Sequence, residues 1–316
     1  MLGRTGLKVS VLSYGTGGPG GFGRARGLTA GDQKALIRRC LDLGINLFDT
    51  AEAYGGGQSE TDLGGALQGV PRDTYILATK WLHHDGNALT VKEDPAALAA
   101  SVERSLARLR TDYIDIMQFH GLSPTHYRQV VDRFYPEMEK LKKSGKLRFV
   151  GFSEFLRSDA EHAAIAMALK NDPELWDTVM LKYGILYQWA AREVLPLAIS
   201  CKTGVLNMAP VRLSLSDSTM LERLVAKWEA DGLLERGSLS RREPLGWLIG
   251  GNVGSLVAAA YKFAADHRGI STVLTGTSDI AHLEENAAAL ESPVLPPADK
   301  DRLVRLFGNR PLPFTP

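Results

Sequence analysis

Four residues able to carry a proton or a charge stand at or just past the ends of apolar runs. They are Asp49 after Ile45–Phe48, Tyr54 within Asp49-Thr50-Ala51-Glu52-Ala53-Tyr54-Gly55, Lys80 after Tyr75–Thr79, and His120 after Asp115–Phe119. A carboxylate closing an apolar strand is costly to bury unpaired, so Asp49 calls for a cation, and Lys80 at the end of the next such run is the candidate. Alone, the pair reads equally well as a plain salt bridge. Tyr54 adds chemistry. A tyrosine hydroxyl in water gives up its proton only around pH ~10, but an ammonium about 4 Å away favours the phenolate by roughly 4 kcal/mol at an effective dielectric of 20. A tyrosine so placed can protonate the alkoxide formed when hydride adds to a carbonyl, and can remove that proton in the reverse reaction. His120 is able to hydrogen-bond the same oxygen. Its alternative is a strand-end histidine bonded to backbone.

Other chemistries fit less well. Asp49, Glu52 and His120, joined by His83 and His84, contain metal-ligating types, but adjacent histidines lack the His-x-x-x-His spacing of a helix site and Lys80 competes for the carboxylate. A Schiff-base aldolase using Lys80 needs a neutral amine, and a lysine beside Asp49 stays protonated. Trp81, His83 and His84 after the third apolar run, with Tyr187 and Trp189 after the sixth, read as a substrate pocket; rim packing and plain solvent exposure are the alternatives. The loop Gly15-Thr16-Gly17-Gly18-Pro19-Gly20-Gly21-Phe22-Gly23 reads as a mobile active-site loop. It has no Gly-x-Gly-x-x-Gly opening a helix, so a Rossmann reading is weak.

These residues need elements that bring them together. Strand-like runs at 11–16, 45–49, 75–80, 113–120, 147–153, 178–183, 205–210 and 271–276 alternate with helical patterns such as 32–43, with Gly44 as its stop. Ser158 and Glu161 are spaced as a capping box for a helix through Lys170, and Ser144-Gly145 closes the helix rising from Gln129. Near-continuous apolar strands are covered on both faces, as parallel ones are. Eight such units predict an α/β fold, a (β/α)8 TIM barrel whose strand ends converge on one chemical face. The prediction includes an N-terminal β-hairpin, an insertion over 212–254 between the seventh strand and its helix at 255–266, and an extra C-terminal helix over 298–307 that the Pro311–Pro316 end cannot continue. The whole, 1–316, reads as one domain with the insertion on the active-site side.

With 37 basic and 36 acidic side chains the net charge is +1, which gives no global field to attract nucleic acid or a membrane surface. Small molecules are the expected partners. No apolar run nears the roughly 18 residues of a membrane span, and the start lacks a signal-peptide pattern, so a cytoplasmic protein is expected. Cys40 lies on an apolar helical face, and it and Cys201 read as ordinary core thiols.

The segments Gly44-Ile45-Asn46-Leu47-Phe48-Asp49-Thr50-Ala51-Glu52-Ala53-Tyr54-Gly55, Ser59-Glu60-Thr61-Asp62-Leu63-Gly64, Ala78-Thr79-Lys80, Gly151-Phe152-Ser153 and Thr275-Gly276-Thr277-Ser278 with Leu283-Glu284-Glu285-Asn286 resemble, in order, those of the aldo-keto reductase family. The resemblance implies a barrel that binds NADPH, with NADH as the alternative, and interconverts carbonyls and alcohols of aldehydes, ketones or sugars. It implies Tyr54 as general acid/base, Asp49 and Lys80 as its tuning pair, and His120 as the group orienting the carbonyl. It places the nicotinamide carboxamide at Ser153 and the adenosine phosphate and adenine along Gly276, Thr277, Ser278, His282, Glu285 and Asn286. Thr277 and Ser278 lead into a helix whose first amides favour anions, though ordinary capping explains the same residues. At five positions the chain departs from the family pattern. Glu154 stands where asparagine is usual, Met180 where glutamine is frequent, Met208 where an aromatic stacks on the nicotinamide, and Gly276 and His282 where cations meet the phosphate. A nucleotide-binding redox-sensing or regulatory barrel with little turnover is the second reading.

Overall fold

The structure, a computed structural model, describes residues 1–313 apart from 19, 86–89, 156, 292 and 293. Pro19 of the glycine-rich loop and the Phe314–Pro316 end therefore lie outside the described residues. Every expected strand forms: β1 Leu12–Gly15, β2 Leu47–Asp49, β3 Ile76–Trp81, β4 Ile114–Phe119, β5 Leu147–Ser153, β6 Thr178–Lys182, β7 Gly204–Met208 and β8 Thr272–Thr275. All pair in parallel in sequence order, and β8 closes on β1. Helices at Ala30–Asp42, Gln58–Ala66, Ala96–Leu109, Tyr127–Lys143, Ala163–Asn171, Val194–Ser200, Leu256–Ala265 and Ile280–Glu291 follow the successive strands. The fold is a (β/α)8 barrel.

Strand alternation divides the buried residues into two layers. Leu47, Ile76, Ala78, Ile116, Met180, Leu206 and Leu274 fill the barrel interior, plugged by Leu2 and Leu7. Residues of opposite parity, such as Phe48, Leu77 and Met117, pack outward with the helices. Register sets Asp49 beside Ala78, Lys80 beside Gln118 and Lys182 beside Met208. The next inward positions above the apolar plug are thus Asp49, Lys80, Gln118 and Lys182.

Three local expectations change. The N-terminal hairpin is instead a tight turn: Gly3–Thr5 is 3-10, Gly3 and Gly6 have φ of 50° and 71°, and Leu2 N–H donates to Leu7 O at 2.9 Å. That turn drives Leu2 into the barrel floor, which paired strands would not. The Ser158/Glu161 capping box does not form, because Asp159 accepts from the amides of Ala163 (2.6 Å) and Ala164 (3.0 Å), starting the helix later. After β3 a short antiparallel hairpin, His84–Asp85 with Thr90–Val91, appears that the sequence reading lacked.

The 212–254 segment carries helices Leu213–Ser216 and Ser218–Ala230. Its Trp228 packs edge-on against Tyr187 of the loop after β6 and against Phe307 of the tail helix Pro297–Phe307. Cys40 is a buried core thiol, Cys201 is half-buried, and both are free. Among the described residues no helix is long and apolar enough to cross a membrane.

Candidate active site

Asp49 and Lys80 meet at the mouth of the barrel, where β2 and β3 lie side by side. Lys80 is 1% exposed, and its Nζ donates to Asp49 Oδ2 at 2.6 Å, Thr50 O at 2.8 Å and the Tyr54 hydroxyl at 3.3 Å. Burial opposes the charge on Lys80, but Asp49 and Tyr54 outweigh it and hold the ammonium above its usual range. Burial pushes the Asp49 carboxyl up and Lys80 opposes that push. The 2.6 Å contact is ion-pair geometry, and we read the pair as charged. An ammonium with three acceptors is a poor nucleophile, which argues against the aldolase reading.

Tyr54 arrives by a turn that only glycine permits cheaply. Gly55, Gly56 and Gly57 have φ of 62°, 62° and 94°, in succession, between β2 and the Gln58–Ala66 helix. The ring then lies against Gly17 of the loop after β1, where a Cβ would come within 2.7 Å of Tyr54 Cε2. His120 meets it edge-to-face, with centroids 5.6 Å apart. The His120 imidazole is held neutral, its pKa pushed down to about 3 by burial first, then by Lys80 and His84. Its Nδ1 and the buried Gln118 Oε1 have no partner in the protein, while Gln118 Nε2 reaches towards Asp49 Oδ1 at 3.4 Å. Two orphaned polar atoms beside a hydroxyl and an ammonium form a site that a ligand's polar groups would complete. The four sequence-predicted residues are brought together. Glu52 is not part of this cluster: its carboxylate is engaged by Ser101, Arg104 and Arg108. Among the described residues no three His, Cys, Asp or Glu side chains are arranged to hold a metal ion.

The expected cofactor residues divide. Ser153, at the end of β5, accepts from Gly121 N–H at 2.9 Å, which leaves its own proton available to a ligand. Glu154 is instead committed to the protein. Its Oε1 accepts from Lys182 N at 2.9 Å and Lys182 Nζ at 3.1 Å, and its Oε2 lies 2.7 Å from His162 Nδ1, all in a buried cluster. Burial raises the carboxyl, but His162 and Lys182 outweigh it and hold it below the usual range. The expectation that Glu154 is a cofactor-binding residue is corrected on that ground, since both its carboxylate oxygens are engaged within the protein. Met180 is buried inside the barrel and Met208 is half-buried against the same cluster.

On the β8 side, Gly276, His282 and Glu285 are exposed and Thr277 and Ser278 partly so. Asn286 is buried and its Nδ2 donates to Thr275 Oγ1 at 3.1 Å. Two residues missed in the sequence converge here. Asp279 Oδ1 accepts from Ala281 N–H (2.9 Å) and His282 N–H (3.4 Å), and Arg26, from the loop after β1, lies 3.5 Å from Ser278 Oγ and 3.7 Å from Asp279 Oδ2. An acidic residue one position before the helix was a readable cap signal; Arg26 carried none, because the contact spans the barrel seam.

The pocket residues also divide. Trp81 is buried between the barrel and the Tyr127–Lys143 helix, 4.8 Å from the Phe134 ring centroid. Lys80 faces inward, so its neighbour must face outward, and Trp81 is removed from the pocket. Tyr187 is buried under Trp228, and Arg192 stacks over Trp189 at 4.9 Å. His83 and His84 are buried, at 0% and 4% exposure, rather than solvated.

Comparison with known proteins agrees with this fold. The family model described as "Aldo/keto reductase family" matches residues 11–306. The chain belongs to the aldo/keto reductase family. It is an NAD(P)H-dependent oxidoreductase. Among its relatives, the L-galactose dehydrogenase of Arabidopsis thaliana is 32% identical over 299 residues, covering 92% of this chain and 86% of that one. The D-threo-aldose 1-dehydrogenase of a Pseudomonas species is 30% identical over 319 residues, covering 91% and 92%. An aldo-keto reductase from Bacillus halodurans, solved in its holo form, superposes with a TM-score of 0.70 at 27% identity, over 97% of this chain and 95% of that chain.

Proposed function

We propose that this chain interconverts an aldose-type carbonyl and alcohol using NADPH, with Tyr54 as the general acid/base. The observation that carries the reading is the Lys80 ammonium, which bridges Asp49 and the Tyr54 hydroxyl at 2.6 and 3.3 Å. The sugar class follows from the named activities of two relatives, both sugar dehydrogenases. A bound nicotinamide cofactor would supply or accept the hydride exchanged with the carbonyl or alcohol carbon. In reduction Tyr54 gives its proton to the carbonyl oxygen, and in oxidation it takes that proton from the alcohol. Lys80 stabilises the negative charge left on the tyrosine oxygen, and Asp49 keeps Lys80 protonated and in place. His120, being neutral, offers an N–H to the same oxygen and orients it without adding charge.

For the cofactor, the Ser153 hydroxyl would hold the carboxamide, Met208 would lie under the ring, and the segment from Gly276 to Ser278 would meet the adenosine phosphate at a helix start. The 212–254 insertion, within a single domain, would wall the side of the mouth next to Tyr187. Tyr54→Phe tests the reading: carbonyl and alcohol turnover should collapse while NADPH binding, followed by fluorescence, persists. Turnover equal to that of the unaltered protein would sink the assignment.

A further inference from the structure

The hairpin after β3 carries a feature that the acid/base machinery does not use. His83 and His84 are buried; both ring nitrogens of His83 lack a partner, as do Nδ1 of His126 and Nδ1 of His120, while the backbone of Asp85 lies close enough to the His84 ring to favour its protonation. The rings are neighbours: His83 and His84 are 4.9 Å apart at 86°, and His83 and His126 are 6.1 Å apart at 78°. Phe155 flanks them, 5.8 Å from His84. The group reaches to the site itself, since His84 contributes to holding His120 neutral and His120 does the same to His83.

Each buried polar atom left without a partner costs about 1–3 kcal/mol, so the His83 ring, with both nitrogens orphaned beside the unmet Nδ1 of His126, calls for a partner outside the protein. A metal ion does not supply it, because no three candidate ligands among the described residues are arranged for one. A neutral imidazole presents one donor and one acceptor. So does a hydroxyl, whereas a carboxylate or phosphate only accepts and would leave the imidazole acceptors unmet. The cation next to the cluster is already committed: Lys92 Nζ donates to Leu82 O at 2.6 Å and lies 5.2 Å over the Trp81 ring. Burial, the neighbouring histidines and Lys92 all disfavour protonation of His83.

We propose that His83, His84 and His126 form a hydroxyl-recognition subsite for the uncharged, polyhydroxylated portion of the substrate, beside the carbonyl that Tyr54 and His120 serve. The assignment rests on the oxidoreductase reading above and adds which end of the substrate is read, by which residues, and that this end carries no charge.

The test compares kcat/KM for a panel of neutral aldoses, the matching uronates and sugar phosphates, and a short apolar alcohol and aldehyde, in the unaltered enzyme and in His84→Leu, His83→Leu and His84→Asn. The unaltered enzyme should favour neutral aldoses over both anionic classes. The ratio of aldose to apolar substrate should fall at least about tenfold in the leucine variants, and asparagine, which keeps a donor and an acceptor, should recover part of it. An unchanged ratio, or a preference for uronate or sugar phosphate, overturns the subsite and leaves the oxidoreductase reading intact. If a leucine variant fails to bind NADPH and so is misfolded, the neutral-over-anionic preference of the unaltered enzyme and the asparagine variant decide. Absence of turnover on every alcohol and carbonyl overturns both readings together.

Discussion

Replacing Lys80 by methionine removes the cation in contact with the Tyr54 oxygen and leaves the carbon stem in place. At 3.3 Å, an ammonium and a full charge on that oxygen attract by about 5 kcal/mol at an effective dielectric of 20 and by about 1.3 kcal/mol in bulk water. Tyr54 is half-exposed and Asp49 opposes part of the field, so the loss lies between those bounds. At about 1.4 kcal/mol per factor of ten, hydride transfer should slow by roughly ten- to several-thousand-fold. The variant also strands Asp49, and an unpaired carboxylate in a buried pair costs on the order of 3–5 kcal/mol of stability. Asp49→Asn combined with Lys80→Met removes that charge and should recover most of the folding stability without recovering the rate. The assay is single-turnover oxidation of bound NADPH at saturating substrate, with cofactor affinity and denaturant midpoint measured on the same samples. A rate within about threefold of the unaltered enzyme would refute the electrostatic role, as would a double variant that regained both stability and rate.

Gly17→Ala would set a methyl 2.7 Å from Tyr54 Cε2 and 3.0 Å from its hydroxyl oxygen; displacing the ring should lower kcat at least tenfold with little change in melting temperature, and an unaltered kcat would show that the ring is not held there. Asp279→Ser keeps a helix cap but removes a carboxylate that already occupies the amides of Ala281 and His282, so NADPH affinity should rise relative to NADH by about three- to tenfold, and equal changes for both cofactors in a fluorescence titration would contradict this. His83 takes up a proton near its ordinary value of about 6.5 when unfolded but only at about 3 when folded, owing to burial and its histidine neighbours. Its folded pKa is therefore the lower one, and stability is full above the unfolded value and falls as pH drops below it. Between pH 7 and 5 this amounts to about 2 kcal/mol, read as a lower urea midpoint that His83→Phe should largely abolish; an equal acid loss in that variant would place the effect elsewhere.

Much of this site was legible because the barrel converts sequence position into spatial position. All eight strands appear as apolar runs, and a polar residue closing such a run has to emerge at the mouth, which is how Asp49, Lys80 and His120 were found together. Trp81 was misplaced by neglecting the period of two: once Lys80 points inward, the next residue points to the helices. Gln118 follows the same parity as Lys80 and His120 and was readable by it. Glu154 was not readable, since its partner Lys182 lies 28 residues further on and the contact depends on β5 and β6 being neighbours. Arg26 was hidden for the same reason, its partners being 252 and 253 residues away across the β8–β1 closure. Local signals misled where two acceptors competed, as Asp159 displaced the Ser158 capping box.

The two lysines at the barrel mouth account for a property that none of these residues has alone. Lys80 and Lys182 are each almost fully buried, and each is matched by a carboxylate, Asp49 or Glu154, at 2.6 and 3.1 Å. An unmatched buried lysine would either lose its proton or draw an anion into the mouth. Paired, the two contribute dipoles rather than net charge, and burial disfavours charge on His83 and His84 between β3 and β4 and on His120 after β4. The charge that the protein itself must stabilise in the mouth is then the one on the Tyr54 oxygen, and the Lys80 ammonium lies within hydrogen-bonding distance of it. Exposed charge lies instead at the β8 rim, where Arg26, 3.7 Å from Asp279, and the start of the Ile280–Glu291 helix face solvent. A neutral mouth beside a rim that carries Arg26 fits a cofactor whose adenosine phosphate stands at the end remote from its nicotinamide, and a substrate that carries no charge.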